Sequence, residues 1–263
     1  MLDQPTREKI AADLLDVYRT REPLPLLTRT YPDIEVEDAY RIQEAFVARR
    51  LAAGARIKGY KVGLTSKPMQ EMAGSTEPDF SAVTDDLLHP EGTPLAAAEL
   101  FSPLAEIEIA FVMKERLEGP GIGPEDVVQA TDFVLPSIEV VDFRVGPAPG
   151  MTITDTVADL AACGRVVLGA TRQRLNDLDI SAVTGQLVKN GEVIDKGSAS
   201  AVLGNPVNAV VWLANKLAQF GVSFAPGHVV MTGSFLRAYP IAAGDHITAR
   251  FDSGLGDVSL TLE

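Results

Sequence analysis

The stretch AEIEIAFVMK, residues 105–114, places two acidic side chains inside a strongly apolar run. Alternation with a period of two predicts a β-strand, on which Glu106 and Glu108 project from one face and the isoleucines between and after them project from the other. Two carboxylates side by side on an apolar sheet repel each other, and each is costly to bury without a partner. We therefore expect a cationic group between them.

A third acidic side chain stands in the run PSIEVVDFR, where Glu139 follows Pro136 and Ser137. If this strand pairs with the first one, three carboxylates converge on one sheet face. Three oxygen ligands without cysteine or paired histidine favour Mg²⁺ or Mn²⁺, with further positions left for water or substrate. The alternative is that each glutamate points to solvent from an edge strand, which is the usual place for a glutamate.

Two further stretches carry side chains that could move protons. Lys61 interrupts a predicted strand in IKGYKVGLTSKPMQ, and a lysine against an apolar surface can have a lowered pKa and carry a proton. The alternative is a surface lysine that keeps its ammonium group in water. Asp79 lies in the short motif EPDF, which predicts a loop.

Composition limits the classes of partner. The chain has 263 residues, is 46% hydrophobic and carries a formal net charge of −13, which argues against nucleic acid and anionic membrane surfaces and favours a small molecule. The single cysteine, Cys163, excludes an intramolecular disulfide, and the three histidines show no ligand spacing. The polar N-terminus and the lack of a long apolar run predict a cytoplasmic protein.

The elements that must position these side chains can also be predicted. Residues 5–20 and 37–51 have helical spacing of apolar residues, whereas short β-branched runs separated by Gly and Pro begin at Arg56. Helices are predicted again over 155–163 and 207–220. We expect an α+β fold with a mostly antiparallel, rolled β-sheet. A helical N-terminal segment, residues 1–55, would cover a β-rich catalytic domain, residues 56–263, in one compact unit.

The order of the motifs points to a family. GYKVGLTSKPMQ, EPDF, the E-x-E pair, PSIEVVD, DTVAD and VMTGS follow one another along the chain. In this order they resemble the 2-oxopent-4-enoate hydratase and 4-oxalocrotonate decarboxylase family of the fumarylacetoacetate hydrolase superfamily. The resemblance runs from EDAY, residues 37–40, to GLGDVSL, residues 254–260.

The resemblance implies a metal-dependent enzyme acting on 2-oxo or 2-hydroxydienoate acids from aromatic ring cleavage, and a homo-oligomer is expected. It implies that Mg²⁺, or Mn²⁺, is bound by Glu106, Glu108 and Glu139. It also implies that Lys61 and Asp79 transfer protons, and that the substrate is contacted by Leu64, Thr232, Gly233 and Ser234. A 2-oxo acid offers a keto and a carboxylate oxygen, so a bound ion could hold it through both.

Two departures from the family pattern leave alternatives open. Leu104 stands where the P-R-x-E-x-E motif has arginine, and DLAAC, residues 159–163, replaces D-N-A-S. Hydration of a 2-hydroxydienoate is the leading interpretation, and decarboxylation of a 4-oxalocrotonate-type acid is the second. Hydrolysis of an acylpyruvate and a catalytically silent homologue that binds a 2-oxo acid also remain.

Overall fold

A computed structural model, which describes residues 1–263, has seven α-helices and twelve strands. The helices are α1 (Gln4–Thr20), α2 (Leu27–Thr30), α3 (Val36–Ala52), α4 (Lys67–Ala73), α5 (Pro124–Ala130), α6 (Ile153–Ala158) and α7 (Pro206–Ala218). The strands are β1 (Ile57–Gly63), β2 (Asp79–Thr84), β3 (Leu88–His89), β4 (Leu104–Met113), β5 (Thr131–Val141), β6 (Cys163–Leu168), β7 (Thr184–Lys189), β8 (Glu192–Ser198), β9 (Val229–Met231), β10 (Tyr239–Pro240), β11 (His246–Phe251) and β12 (Gly256–Thr261).

The strands form two sheets. The larger has the order β2-β1-β9-β4-β5-β6-β3, with β10 pairing β4, and the smaller has the order β12-β11-β7-β8. Every pair of strands is antiparallel except β1 with β9 and β3 with β6. The predicted α+β class with a mostly antiparallel, curled sheet is therefore confirmed. Strand β4 lies in the interior of the larger sheet, which matters for the two glutamates that it carries.

The N-terminal helices form where the sequence predicts them. The Asp3 side chain accepts a hydrogen bond from the Thr6 amide and caps α1, and the apolar side chains of α1 are buried against α3. One continuous core of 64 buried residues joins these helices to both sheets. None of the helices combines the length and apolarity needed to cross a bilayer.

Two predicted elements differ from the structure. The motif EPDF is not wholly a loop, because β2 begins at Asp79 and pairs with β1. The predicted helix over 155–163 ends at Ala158, and the next residues form a left-handed turn with positive φ angles. Each difference places a polar group beside Lys61, namely the Asp79 carboxyl group and the Ala161 carbonyl.

Strand β1 packs closely against β9 because of a glycine. Gly59 lies opposite Val229 in the parallel β1–β9 pair, where a Cβ atom would collide with the backbone of Val229. The absence of a side chain allows the two strands to approach. Lys61, two residues later, is thereby brought next to Met231 and towards β4.

Candidate metal centre and active site

The structure brings together the three glutamates that the sequence singles out. Glu106 of β4 lies directly opposite Glu139 of β5, and Glu108 lies opposite Ser137. One carboxylate oxygen from each of the three glutamates lies within 4.8 Å of the other two. Glu106 is 8% exposed, and Glu108 and Glu139 are each 0% exposed. This burial excludes the alternative that the glutamates point to solvent from an edge strand.

Three of these carboxylate oxygens lack a hydrogen-bond partner, although one of the three, Glu139 Oε1, lies 3.1 Å from Lys61 Nζ. Glu108 Oε2 accepts a hydrogen bond from the Gly233 amide at 2.9 Å, but Glu108 Oε1 and both oxygens of Glu139 accept none. Buried charged oxygens without partners are strongly unfavourable. Three convergent hard oxygen donors with unused lone pairs fit a divalent ion such as Mg²⁺, Mn²⁺ or Ca²⁺. The oxygen donors of the three glutamates therefore fit the divalent metal ion that the family resemblance implies.

Burial and mutual repulsion both raise pKa values in the cluster. Burial and the neighbouring Glu139 raise the pKa of Glu106 to about 8. Burial, Glu139 and Glu106 raise the pKa of Glu108 well above its ordinary value. In the absence of a cation the cluster therefore holds protons near neutral pH, and an ion that binds there must displace them.

Lys61 lies beside the cluster and is 4% exposed, so it is not a surface lysine. Its Nζ donates a hydrogen bond to the Ala161 carbonyl at 2.7 Å and lies 3.1 Å from Glu139 Oε1 as a charge contact. Burial alone would lower the pKa of Lys61, but the carboxylates of Glu139 and Asp79 outweigh it and raise the pKa. The sequence-based expectation of a lowered pKa for Lys61 is thus not met, because the carboxylates stabilise its ammonium form.

Asp79 is the fourth buried carboxyl group of the site. It begins β2 opposite Gly63 of β1, and a side chain at Gly63 would collide with Asp79 Oδ1. Oδ1 has no hydrogen-bond partner. Burial raises the pKa of Asp79 to about 6, although the Lys61 ammonium opposes the shift. Asp79 is therefore a carboxyl group that can take up and release a proton close to neutral pH.

The carbonyl that holds Lys61 belongs to an unusual turn. Leu160, Ala161 and Ala162 have φ angles of 55°, 48° and 58°, which side chains with a Cβ rarely adopt. Such a conformation costs roughly 1–2 kcal/mol per residue. The surrounding structure must therefore hold this turn in place.

The group that holds the turn is Arg144, which is fully buried. Its Nη2 donates to the Asp159 carbonyl at 2.8 Å and its Nη1 donates to the Cys163 carbonyl at 2.9 Å, at the two ends of the turn. The Asp159 carboxylate pairs with the Arg144 guanidinium and accepts from the Arg144 amide at 2.6 Å. The sequence does not predict the pair of Arg144 and Asp159, because Asp142 is an acidic residue much closer to Arg144 along the chain. In the structure, Asp142 instead accepts hydrogen bonds from two amides of the loop before β4.

The late T-G-S motif follows β9 and lies against β4. The Thr232 hydroxyl donates to the Ile109 carbonyl at 2.8 Å, and the Ser234 hydroxyl donates to the Ile107 carbonyl at 3.1 Å. The Gly233 amide orients Glu108, as described above, and Gly233 has a φ of +92° with Thr65 where a Cβ would be. The hydroxyl protons of Thr232 and Ser234 are thus already donated to carbonyl groups of β4. Leu64, with a φ of 54°, is half-buried, and the substrate contacts of all four residues stay predictions.

Other candidate features lie apart from the cluster. A cleft of about 570 Å³ is formed by α3 and α7 and contains none of the predicted site residues. His228 packs against Tyr60, whereas His89 and His246 are bonded to nearby threonines. The group that could hold a metal consists of the three glutamates alone. The site is therefore defined by its carboxylates and not by the size of a cleft.

Comparison with known proteins decides the family. Residues 52–263 match the model of the family described as fumarylacetoacetate (FAA) hydrolase C-terminal. The chain belongs to the fumarylacetoacetate hydrolase family. It is 42% identical over 265 residues to 2-hydroxyhexa-2,4-dienoate hydratase of Comamonas testosteroni, covering 99% of this chain and 98% of the relative. The resemblance drawn from the motifs is confirmed.

Decarboxylases are also among the relatives of this fumarylacetoacetate hydrolase family member. It is 38% identical over 236 residues to 4-oxalocrotonate decarboxylase of Pseudomonas sp. (strain CF600), covering 90% of this chain and 89% of the relative. The solved structure of 4-oxalocrotonate decarboxylase from Pseudomonas putida G7, complexed with magnesium and adipate, superposes with a TM-score of 0.95 and 33% identity. The alignment covers 100% of this chain and 99% of that one.

The raised pKa of Glu106 generates a prediction about metal affinity. Below pH 8, binding of Mg²⁺ must release the proton held by the cluster, so the affinity should fall by up to about tenfold per pH unit between pH 8 and pH 6. Titration calorimetry in buffers of different ionisation enthalpy measures both the affinity and the proton release. An affinity that is constant from pH 6 to pH 9 without proton release would contradict the assignment.

Proposed function

We propose that this fumarylacetoacetate hydrolase family member is a metal-dependent hydratase. It adds water to a short 2-hydroxy-2,4-dienoate of the kind formed after aromatic ring cleavage, giving a 4-hydroxy-2-oxo acid. The observation that carries the proposal is the buried cluster of three glutamates, with unpartnered oxygens, next to a lysine and an aspartate. The 42% identity to a hydratase over nearly the whole chain supports it.

The proposed metal is Mg²⁺, with Mn²⁺ as the alternative, and its ligands are Glu106, Glu108 and Glu139. When bound, the ion would supply a Lewis acid for the keto and carboxylate oxygens of a 2-oxo acid. Gly233 would keep one oxygen of Glu108 in place through its amide. A relative of known structure, at 33% identity, was solved with magnesium, which supports the choice.

Lys61 and Asp79 are proposed as the proton-transfer residues, with different roles. Hydration needs a proton at C5 to turn the dienol into a conjugated 2-oxo-3-enoate, then attack of water at C4 and a proton at C3. Asp79, with a pKa of about 6, is mostly ionised at pH 7 and can accept a proton from the enol hydroxyl or from water. Lys61, held as an ammonium group by the Ala161 carbonyl and Glu139, can donate.

The remaining predicted site residues are proposed as walls of the substrate site. Leu64 and Gly233 would offer a surface without charge, and Thr232 and Ser234 would act mainly by fixing β9 to β4, because their hydroxyl protons go to β4 carbonyls. This modifies the expectation that Thr232 and Ser234 contact the substrate directly. The division at residues 55 and 56 and a cytoplasmic homo-oligomer are further proposals.

A second candidate function is decarboxylation of a 4-oxalocrotonate-type acid. It is favoured by the TM-score of 0.95 to the decarboxylase of Pseudomonas putida G7. Loss of CO₂ leaves the same dienol that hydration starts from, so the same residues serve both reactions. A silent homologue is less well supported, because all three glutamates, Lys61 and Asp79 are present and buried together.

Product analysis tests the proposal. The purified protein with Mg²⁺ is expected to convert 2-hydroxypenta-2,4-dienoate to a product with a carbinol carbon at C4, observed by NMR. Glu108→Gln should abolish this turnover, whereas Glu192→Gln, a change at an exposed position of β8, should leave it unchanged. Release of CO₂ from 2-oxohex-3-enedioate without hydration would support the decarboxylase instead, and pyruvate from an acylpyruvate would support a hydrolase.

Substitution of Lys61 separates proton transfer from metal binding. Lys61→Met keeps the length of the side chain and removes the ammonium group, so turnover should fall by about 10²- to 10⁴-fold. Affinity for Mg²⁺ should not fall, since the competing positive charge beside Glu139 is gone. Stopped-flow turnover and calorimetry on the same preparation give both values. Turnover at the wild-type rate would remove Lys61 from the mechanism.

A further inference from the structure

The carboxylate cluster opens in one direction along β4. Alternate residues of this strand share a face, and their exposure increases from Ala110 and Glu108, both 0%, through Glu106, 8%, to the half-buried Leu104. A 2-oxo acid bound to the cluster through its first carbons can therefore extend its distal end towards Leu104. Towards the opposite end of the strand, Ala110 is fully buried in the core and the half-buried Val112 packs against that core.

The open end is lined by uncharged side chains. Leu104 of β4 lies opposite Val141 of β5, and Val141 lies opposite Cys163 of β6. Leu104 is neither part of the 64-residue core nor packed against it, and Val141 is buried without belonging to that core. The same holds for Ala161 and Ala162 of the left-handed turn, which directly precede Cys163. Leu104 is half-buried and the other three residues are buried, all outside the core, which suits a surface that contacts a ligand.

Three cationic side chains near this end of the site already have protein partners. Arg21 donates hydrogen bonds to the carbonyls of Ala98, Glu99 and Leu100. Arg144 forms a buried ion pair with Asp159. Lys189 reaches the carbonyl of Pro240, the residue opposite Leu104 in β10, but forms an ion pair with Asp245. The exposed Arg237, in the loop before β10, has a side chain that forms neither an ion pair nor a hydrogen bond.

We infer that this site selects a substrate with an uncharged distal end, hydrogen or a short alkyl group, and that Leu104 is the residue that disfavours a second carboxylate. The inference rests on the proposed function for which end of the acid binds the metal. A distal carboxylate placed against Leu104 and Val141 would lose water without gaining a cation. A distal methyl group would gain apolar contact there.

A matched pair of ligands tests the inference without requiring turnover. Binding of 2-oxohexanoate and 2-oxohexanedioate, which differ only in the distal carboxylate, is measured by calorimetry on the Mg²⁺-loaded protein. The wild type should bind the monoacid at least about tenfold more tightly. Leu104→Arg should shift this ratio at least about tenfold towards the diacid, because it places a cation two residues before Glu106 on the same strand face. Leu104→Met, which keeps an apolar side chain, should leave the ratio unchanged.

The outcomes separate the inference from the proposed function. Equal or tighter binding of the diacid by the wild type, or a ratio unmoved by Leu104→Arg, would overturn the inference even if the hydratase assay succeeds. A selective loss of diacid binding in Arg237→Gln would also overturn it, because Arg237 would then be the cation that holds a second carboxylate. Monoacid preference in a protein that hydrates nothing would leave the inference standing and remove the proposed function.

Discussion

Repulsion among buried carboxylates is the constraint on which the rest of the site depends. The pairing of β4 with β5 places Glu106 opposite Glu139 and Glu108 one step further along, all on one buried face. With Asp79, four buried carboxyl groups face a single buried ammonium group, that of Lys61. A divalent ion would leave only one negative charge in excess, whereas without it protons must neutralise the cluster, as the raised pKa of Glu106 shows.

Much of the surrounding structure serves to fix these charges. The buried ion pair of Arg144 and Asp159 holds a turn that would otherwise be unfavourable, and the carbonyl of Ala161 in that turn positions Lys61. Removing one partner of such a buried pair typically costs about 3–5 kcal/mol, so its effect would reach the fold as well as the site. The site is thus organised by groups that do not themselves contact the three glutamates.

Local patterns in the sequence predict the parts of the site that depend on alternation and order. The strand with Glu106 and Glu108, the later strand with Glu139 and the N-terminal helices are predicted because their apolar periodicity is local. The strand at Asp79 is missed because EPDF acquires strand structure only by pairing with β1. The left-handed turn at Ala161 is missed because no glycine marks it, and its conformation is imposed by Arg144, which follows β5. Likewise, the bonds of Thr232 and Ser234 to β4 depend on long-range sheet order.

The central claim is that one divalent ion binds between three glutamates. Crystals of the protein soaked in Mn²⁺, with diffraction data collected at the manganese absorption edge, test it most directly. The account predicts a single strong anomalous peak within coordination distance of a carboxylate oxygen from each of Glu106, Glu108 and Glu139. A cluster without a peak, with manganese bound only elsewhere on the protein, would contradict it.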